Sequence, residues 1–445
     1  MDFAHVEKLL MNKQYQELKK YLANSQIADI AEFLDQLDLK TALLVFRLLP
    51  KDEAAAVFAY LSPLRQTELS KLVNENELQQ IINDLFFDDK IDFLEEMPAS
   101  VVKRIIQNSS EKERTLINQF LHYPEDSAGS VMTIEYVDLK KEMSVQAALE
   151  RIRHTAPDKE TIYVCYVIDA SRHLEGIVSL RDLVIAAPEQ KISEIMQQDI
   201  IFAKTNDDKE YIADLVKKYD LLAIPITDNE KRLVGIVTVD DILDVIEDEN
   251  TEDFHKMAAL QPTTEEYLDS SVLQMARQRI TWLLFLMLSA TFTGYIIRSY
   301  QSALEAVVAL TVFIPMLMDT GGNAGSQSST LIIRSLALNE VSIHHLTKVL
   351  WKEFRVSLVV GSILASVNFI RILLVERYPV AVAATVSLTL VFTVMTAKIV
   401  GSSLPIFAKQ LKIDPAIMAS PLITTVVDTI SLLIYFSLAT RILAL

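Results

Sequence analysis

The sequence predicts a multidomain membrane protein: an α-helical superhelical N domain, a pair of small α/β modules, and an all-α transmembrane domain of five helices. Two observations predict it. Apolar residues recur at intervals of three and four up to about residue 125, give way near residue 130 to strands rich in β-branched residues, and end beyond residue 276 in runs long enough to cross a bilayer. Charge divides the chain at the same place. Residues from 276 onward carry 13 Lys+Arg against 7 Asp+Glu, a net of +6, while the remainder carries 29 against 52, a net of −23. So acidic a soluble part repels nucleic acid and attracts divalent cations. The single cysteine, Cys165, excludes an internal disulfide and fits a reducing compartment. Seven scattered histidines offer no zinc spacing. The opening residues, MDFAHVEKLL, lack the charged and apolar regions of a signal peptide.

The N domain is expected over residues 1–128. Short amphipathic runs such as LDLKTALLVFRLL and DEAAAVFAYLSPL alternate with Pro50, Pro63 and Pro98, where helices stop, and a loose repeat of about 20 to 25 residues suggests a solenoid. Asp88 and Asp92, in FFDDKIDFLEEMP, lie one turn apart on one helical face.

Two α/β modules follow, over 129–190 and 191–246, each reading strand, helix, paired strand with a turn, and closing helix. Their segments Gly176-Ile-Val-Ser179-Leu-Arg-Asp182 and Gly235-Ile-Val-Thr238-Val-Asp-Asp241 resemble the Gly-h-h-Ser/Thr-x-x-Asp stretch of tandem CBS modules. That resemblance implies a ribose-binding role for Ser179, Asp182, Thr238 and Asp241. It leaves open whether the pair binds an adenine nucleotide.

An acidic connecting helix is expected over 247–275, continuing the closing segment of the second module. Eight carboxylates fall within residues 240–253, with Asp241, Asp244, Asp248 and Glu252 along one stripe and Glu249 and Asp253 beside it. Such a cluster repels itself unless a cation sits against it. The alternative is a solvated acidic helix. It is no EF-hand, because the turn glycine and the Asp-x-Asp-x-Asp-Gly spacing are missing.

The transmembrane domain, 276–445, shows five apolar runs at about 280–297, 303–333, 357–375, 379–400 and 416–440. Arg277, Arg279, Arg334, Lys348, Lys352, Arg355, Lys409 and Lys412 fall on the side shared with the acidic domains, and Arg298 and Arg377 on the other. The positive-inside rule therefore puts residues 1–275 in the cytoplasm and, with an odd number of spans, Leu445 outside. In the second run the composition turns over. Asp319, Thr320, Gly321, Gly322, Asn323, Gly325 and a string of Ser, Gln and Thr follow an apolar stretch. Polar, glycine-bearing backbone at membrane depth must be buried in protein or line a watery cavity, and an ionisable group there marks a site. Gly321 and Gly325 also fit a small-xxx-small packing face. No Lys follows the glycines, which excludes a phosphate loop. In the last run Asp428 is the one charge, with Thr424 and Thr425 close by. It either faces water or a cation, or glues helices as a hydrogen-bonded acid.

Along its whole length the chain resembles the MgtE family of magnesium channels. The motifs are Tyr123-Pro124 with Ser127-Ala128-Gly129, Pro315 with Thr320-Gly-Gly-Asn323, and Asp414-Pro415 followed by Asp428. The resemblance implies a homodimer in the plasma membrane, with two subunits enclosing a pore in which Asp428 binds the ion. It implies Mg²⁺ as both substrate and regulator, with ATP at the CBS pair left open. It further implies that the acidic helix plugs the cytoplasmic mouth when Mg²⁺ is bridged by Asp88, Asp92, Glu210, Asp220, Asp241, Glu249, Glu252, Asp253 and Asp414. Two departures stand out: Asp319 adds a carboxylate, and Ser420 stands where some members have Asn. Mg²⁺ sheds its waters reluctantly, so a wide polar lining from Asp319, Asn323, Thr424, Thr425 and Asp428 suits it, other divalent cations being further candidates for passage. No nucleophile–base pair appears, so an enzyme has no residues to stand on. Two rivals are an ion-coupled divalent cation secondary transporter, for which no inverted repeat is visible, and a CBS-regulated nucleotide-sensing membrane protein, which would not need the polar stretch.

Overall fold

Short helices need frequent stops, and the first 120 residues supply them with caps and prolines. In the computed structural model, which describes residues 1–444 except 264–266 and 268–269, they form α1 (Phe3–Met11), α2 (Tyr15–Leu22), α3 (Ile27–Gln36), α4 (Leu39–Phe46), α5 (Lys51–Ala59), α6 (Pro63–Leu72), α7 (Glu75–Asp84), α8 (Phe87–Glu96), α9 (Ala99–Asn108) and α10 (Glu111–Phe120). The side chains of Asp52, Ser100 and Ser420 and all of Leu445 lie outside the described residues, and with them the expectations for Ser420 and for the outer end of the chain. Asp38, Ser62 and Ser110 cap their helices, and Asn74 and Glu77 close a capping box at α7. Helices stack two apart, α3 on α5 on α7 and α4 on α6 on α8, which is the solenoid the repeat length predicts. A file of edge-to-face rings, Phe46–Phe58–Phe93, runs through the stack.

The chain divides into two units, Met1–Ile246 and Glu247–Leu445. In the first, the modules repeat one topology. β1 (Val137–Leu139), α11 (Val145–Thr155), β2 (Val164–Ile168), β3 (Leu174–Ser179), α12 (Leu180–Ile185) and the short α13 (Ile192–Ile195) are followed by β4 (Ala203–Lys204), α14 (Lys209–Tyr219), β5 (Ala223–Thr227) and β6 (Leu233–Thr238). Each sheet has one parallel and one antiparallel pairing, β1–β2–β3 and β4–β5–β6. Gly235 is glycine because the Thr133 backbone crosses directly over it, pairing with Ile236. The Ser127-Ala128-Gly129 motif clasps the N domain to the second module. Ala128 N–H donates to the Asp207 carbonyl (2.7 Å), Gly129 N–H to that of Thr205 (2.9 Å), and Gly129 lies flat under the Tyr123 ring.

α15 (Val239–Met257) starts inside the second module and carries all eight clustered carboxylates on one helix. The second unit then comprises α16 (Val272–Ser299), α17 (Gln301–Ala306), α18 (Ala309–Ala337), α19 (Leu346–Arg371) with a π-turn over Ile372–Glu376, α20 (Val380–Gln410), and α21 (Ser420–Ile442) after a 3₁₀ turn, Pro415–Met418. Four of these stretches are long and apolar enough to cross a membrane: Val272–Ser299, Ile343–Glu376, Val380–Gln410 and Pro415–Ile442. α18 is as long but falls outside that set, because its second half is the polar stretch.

The glycines of that stretch pack. α18 is helical throughout, and a Cβ on Gly321 would meet Thr393 and Val427, on Gly322 Thr424, and on Gly325 Ile423. Gly401 of α20 rests on the Gly325 carbonyl. The small-xxx-small alternative therefore holds for the glycines, and the polar side chains divide between the inside and the outside of the bundle. We predict that Gly401→Ala lowers the melting temperature in detergent, since the new methyl meets backbone and not a movable side chain. Overpacking of this kind costs about 1–3 kcal/mol, and an unchanged melt would contradict the packing role.

Candidate metal centre and ion path

Three constellations gather the predicted residues. The first is in the unit Met1–Ile246. α8 begins without a side-chain cap of its own, and the Phe87 N–H instead donates to Glu135 Oε2 (2.9 Å). This places Glu135 beside the first turn of α8, where Asp88 is 8% exposed and Asp89 half-buried. Asp88, Glu135 and Glu160 each offer an oxygen within 4.8 Å of the others. Asp92 lies one turn along α8, and the charges felt by Asp88 and Asp92 include that of Asp241.

Burial and mutual repulsion shift these acids together. Desolvation, then Asp241 and Glu160, holds Asp88 well above the usual carboxylate range. Desolvation followed by neighbouring carboxylates raises Asp89 to about 6, Asp92 to about 7 and Glu160 to about 8. Asp241 rises to about 6 by desolvation, against the opposing bond from Thr238. Asp88 and Asp92 thus lie within the field of Asp241, the three residues that the resemblance grouped. Glu135 and Glu160 were not foreseen: 25 residues apart in the chain and in no motif, they leave no sequence signal.

Glu210 and Asp220 sit at opposite ends of α14, where Asp220 closes the helix in the left-handed region. Ten residues of helix separate them by about 15 Å, so one ion cannot span the pair. In the modules, Ser179 Oγ donates to Asp182 Oδ2 (2.6 Å) and Thr238 Oγ1 to Asp241 Oδ2 (2.5 Å). Asp182 is exposed and Ser179 half-exposed, whereas Thr238 is buried and Asp241 is turned among the carboxylates of α8.

The second constellation is in the unit Glu247–Leu445. Lys256 Nζ bridges Glu252 Oε1 (2.5 Å) and Asp414 Oδ2 (2.6 Å), and Asp253 feels Asp414 as a repelling neighbour after its own desolvation, both raising its pKa. Glu249 stands one turn earlier on α15. The cation between Glu252 and Asp414 is therefore a lysine. Its i,i+4 spacing from Glu252 was the available signal.

The third lies in the helical bundle. Asp319, Asn323, Gln327, Thr330 and Arg334 form an exposed stripe along α18, and Asn323 Nδ2 donates to Asp319 Oδ1 (3.2 Å). Asp428 is half-buried on α21 and lies within the field of Asp319. The Thr424 and Thr425 hydroxyls both donate to the Pro421 carbonyl, and the Thr424 methyl abuts Gly322. Hydroxyls that return to their own helix are how polar residues are tolerated at this depth. Ser328 and Ser329 face inward. Ser329 Oγ donates to the Met418 carbonyl (2.6 Å), and Ser328 Oγ donates to Glu353 (2.7 Å) while accepting from Lys398 Nζ (3.2 Å). This buried knot joins α18, α19 and α20. Its Lys398 is buried and is the one charge in the run 379–400.

Known proteins match this architecture. Residues 25–126 match the MgtE intracellular N domain, 128–189 and 192–248 the CBS domain, and 314–438 the family described as MgtE, divalent cation transporter. The magnesium transporter MgtE of Thermus thermophilus is 37% identical over 438 residues, 98% of this chain and 97% of that protein. The Bacillus subtilis magnesium transporter MgtE is 32% identical over 97% of this chain and 99% of that one. The cytosolic domain of the Mg²⁺ channel MgtE in complex with ATP superposes with a TM-score of 0.53 at 36% identity, covering 55% of this chain and 99% of that one. The soluble part of a magnesium transporter also gives 0.53, at 31% identity, covering 56% and 97%. The resemblance read from the motifs, and the order of helical N domain, CBS pair and helical C-terminal region, are borne out.

The crowded carboxylates set a pH test. Their folded pKa values lie above the unfolded ones, so the folded state binds more protons between about pH 4 and pH 8, and stability falls as pH rises through that window. In EDTA, we predict that the melting temperature of the soluble-part transition drops from pH 5 to pH 8 and that saturating Mg²⁺ flattens the drop. A flat or rising profile in EDTA would contradict the crowding.

Proposed function

The chain belongs to the MgtE family of divalent cation transporters, and from that premise we propose that it is a Mg²⁺ channel of the plasma membrane, closed by cytoplasmic Mg²⁺. One observation carries the proposal: the exposed stripe Asp319–Asn323–Gln327–Thr330–Arg334 beside Asp428. A carboxylate at the bilayer centre costs roughly 2.5–3.5 kcal/mol even on insertion scales, so two of them with an amide and a guanidinium do not face lipid. A watery path between two copies satisfies them. On this reading α18 is a fifth span, the assembly is a homodimer with α18 and α21 near its two-fold axis, and each subunit contributes Asp319, Asn323 and Asp428. The acidic domains face the cytoplasm and the C-terminus the outside, in keeping with the positive residues at one end of the bundle. Hydrated Mg²⁺ passes by contact with carboxylates through its own waters.

The gate in this proposal is the far end of α15. Mg²⁺ bound by Glu252, Asp253 and Asp414, reinforcing the Lys256 bridge, holds that end in place. Asp88, Asp92 and Asp241 respond to the same ion. A hundredfold excess of Mg²⁺ over the dissociation constant of one such site contributes about 2.7 kcal/mol to the closed form, so several weak sites make a steep switch. At the CBS pair we propose an adenine nucleotide on Ser179 and Asp182. That pair is open to solvent, whereas Asp241 of the second is already engaged.

Asp428→Ala is expected to reduce Mg²⁺ flux into proteoliposomes at least tenfold in a protein that remains folded, and Asp428→Asn to fail likewise because it removes the charge and keeps the shape. Wild-type flux in either would end the pore role. Glu252→Gln together with Asp253→Asn is expected to keep the channel conducting at Mg²⁺ concentrations that shut the parent. Closure at the parent's concentration would leave this stretch a solvated linker.

A further inference from the structure

α19 presents a face that neither the ion path nor the gate uses. In its first turns Lys348, Lys352 and Arg355 fall at spacings of four and three, on one side of the helix. All three are exposed, and among the described residues none of them makes an ion pair or a hydrogen bond. Arg355 lies over the Trp351 ring (5.8 Å to its centre), and that indole is stacked on Phe354 (5.5 Å between centres, 15° between planes) while remaining 59% exposed. The one acid of Leu346–Arg371, Glu353, is engaged inside the bundle, accepting from Ser328 Oγ (2.7 Å) with Lys398 Nζ at 3.9 Å. Like charges one turn apart repel, and a helix that arranged its charges for its own stability would set a carboxylate between them. Beyond Arg355 the same face continues as Val359, Ile363, Val367 and Ile370, each more than half exposed, and the next charge is Arg371. From Arg355 to the end of the π-turn at Glu376 the chain rises about 32 Å, which matches a hydrocarbon layer of about 30 Å. Lys352 and Lys348 then stand about 5 and 10 Å past that layer, within and at the edge of the headgroups.

We propose that Lys348, Trp351, Lys352 and Arg355 bind the headgroup of an anionic phospholipid, of the phosphatidylglycerol kind, in the leaflet on the side of the acidic domains. Three cations without a counter-ion supply the charge complementarity, and an exposed indole beside them suits the headgroup depth, with an apolar body and one N–H donor. Continuity selects a lipid over a soluble anion. The cationic turns run directly into the aliphatic face of Val359, Ile363 and Val367, along which acyl chains can lie, and a free phosphate would gain nothing from that face. α19 packs chiefly against α20, while α18 packs on α20 and α21. In the homodimer proposed above, with α18 and α21 near the axis, this side of α19 is therefore left to lipid. Lys352 and Glu353 are neighbours in the chain, so a headgroup that orders these turns also steadies the Glu353–Ser328 bond to α18. The proposal goes beyond the Mg²⁺ reading and needs only that α19 crosses a bilayer.

The chain has two tryptophans, so Trp282→Phe leaves Trp351 as the one indole emitter in the full-length protein. That protein is reconstituted in phosphatidylcholine vesicles, and brominated phosphatidylglycerol or brominated phosphatidylcholine, which quench at contact, is mixed in. A basic side chain at an anionic surface favours it by about fivefold. Brominated phosphatidylglycerol is therefore expected to half-quench Trp351 at a mole fraction at least fivefold below that of brominated phosphatidylcholine, with the gap narrowing as salt is raised. Lys348→Gln, Lys352→Gln and Arg355→Gln together should close the gap, Lys352→Gln alone should narrow it, and Lys348→Arg with Lys352→Arg should keep it. The melting temperature of the neutralised variants should match or exceed the parent's, since like charges have been removed from an exposed face. Equal quenching of the parent by both lipids, or a gap that survives the triple substitution, would overturn the site. Loss of the gap on adding millimolar inorganic phosphate at fixed ionic strength would assign these residues to a soluble anion and overturn the lipid as occupant. The assay reads the site whether or not the protein conducts Mg²⁺, so its failure is distinct from failure of the channel reading.

Discussion

Negative charge that the chain does not neutralise from its own side chains governs both units. Around α8 the carboxylates of Asp88, Asp89, Asp92, Glu135, Glu160 and Asp241 crowd one volume, and the charges they feel are mostly one another's. At 4 Å two such charges repel by about 4 kcal/mol at an effective dielectric of 20. Folding brings them together only because the helical stack and the module beside it have large apolar cores and a clasp at residues 127–129. What remains is a fold that gains stability from protons or divalent cations. That coupling makes the concentration of a metal readable as a conformational free energy. At the end of α15 the same problem has a partial internal answer, since Lys256 already lies between Glu252 and Asp414.

In the helical bundle the constraint is reversed. Lipid accepts no stray charge, so polar groups there must be matched or must face water. Lys398, Glu353 and Ser328 are matched with each other, and Thr385, Thr389 and Thr396 of α20 and Thr424, Thr425, Thr429 and Thr440 of α21 with their own backbone. The close glycine contacts of α18 with α20 and α21 permit this by drawing the helices near enough for such bonds to form. Asp319, Asn323 and Gln327 remain on the surface. They carry the argument for an aqueous path because, together with Thr330 and Arg334, they form one exposed polar stripe along α18.

Much of this was legible in advance. The period change near residue 130, the Gly-Ile-Val-Ser/Thr segments and the apolar runs each report a local rule, and local rules place elements well. The association of Asp88 and Asp92 with Asp241 was implied by the resemblance to the MgtE family and by no spacing in the chain itself. Glu135 and Glu160 were not implied, because their meeting depends on how a helix cap and a loop fold back across chain segments up to 72 residues apart, and no spacing encodes that. The glycines of α18 pointed two ways in sequence, towards packing and towards a cavity. The structure gives them to packing and leaves Asp319 and Asn323 on the exposed face of α18, a division that only the neighbours on α20 and α21 reveal. Lys398 was visible as a lone charge in an apolar run and lacked only a partner to make sense of it.

The central claim is that the polar stripe of α18 faces water between two copies. Its most direct measurement is the reaction of single cysteines with a charged, membrane-impermeant thiol reagent in proteoliposomes, a clean assay because the native Cys165 is buried. Asn323→Cys and Gln327→Cys are predicted to react, to be slowed by Mg²⁺, and to form a disulfide between two copies on oxidation, while Ile363→Cys on the apolar surface of α19 stays unreactive. Asn323→Cys and Gln327→Cys as inert as Ile363→Cys, with no cross-link between copies, would contradict it.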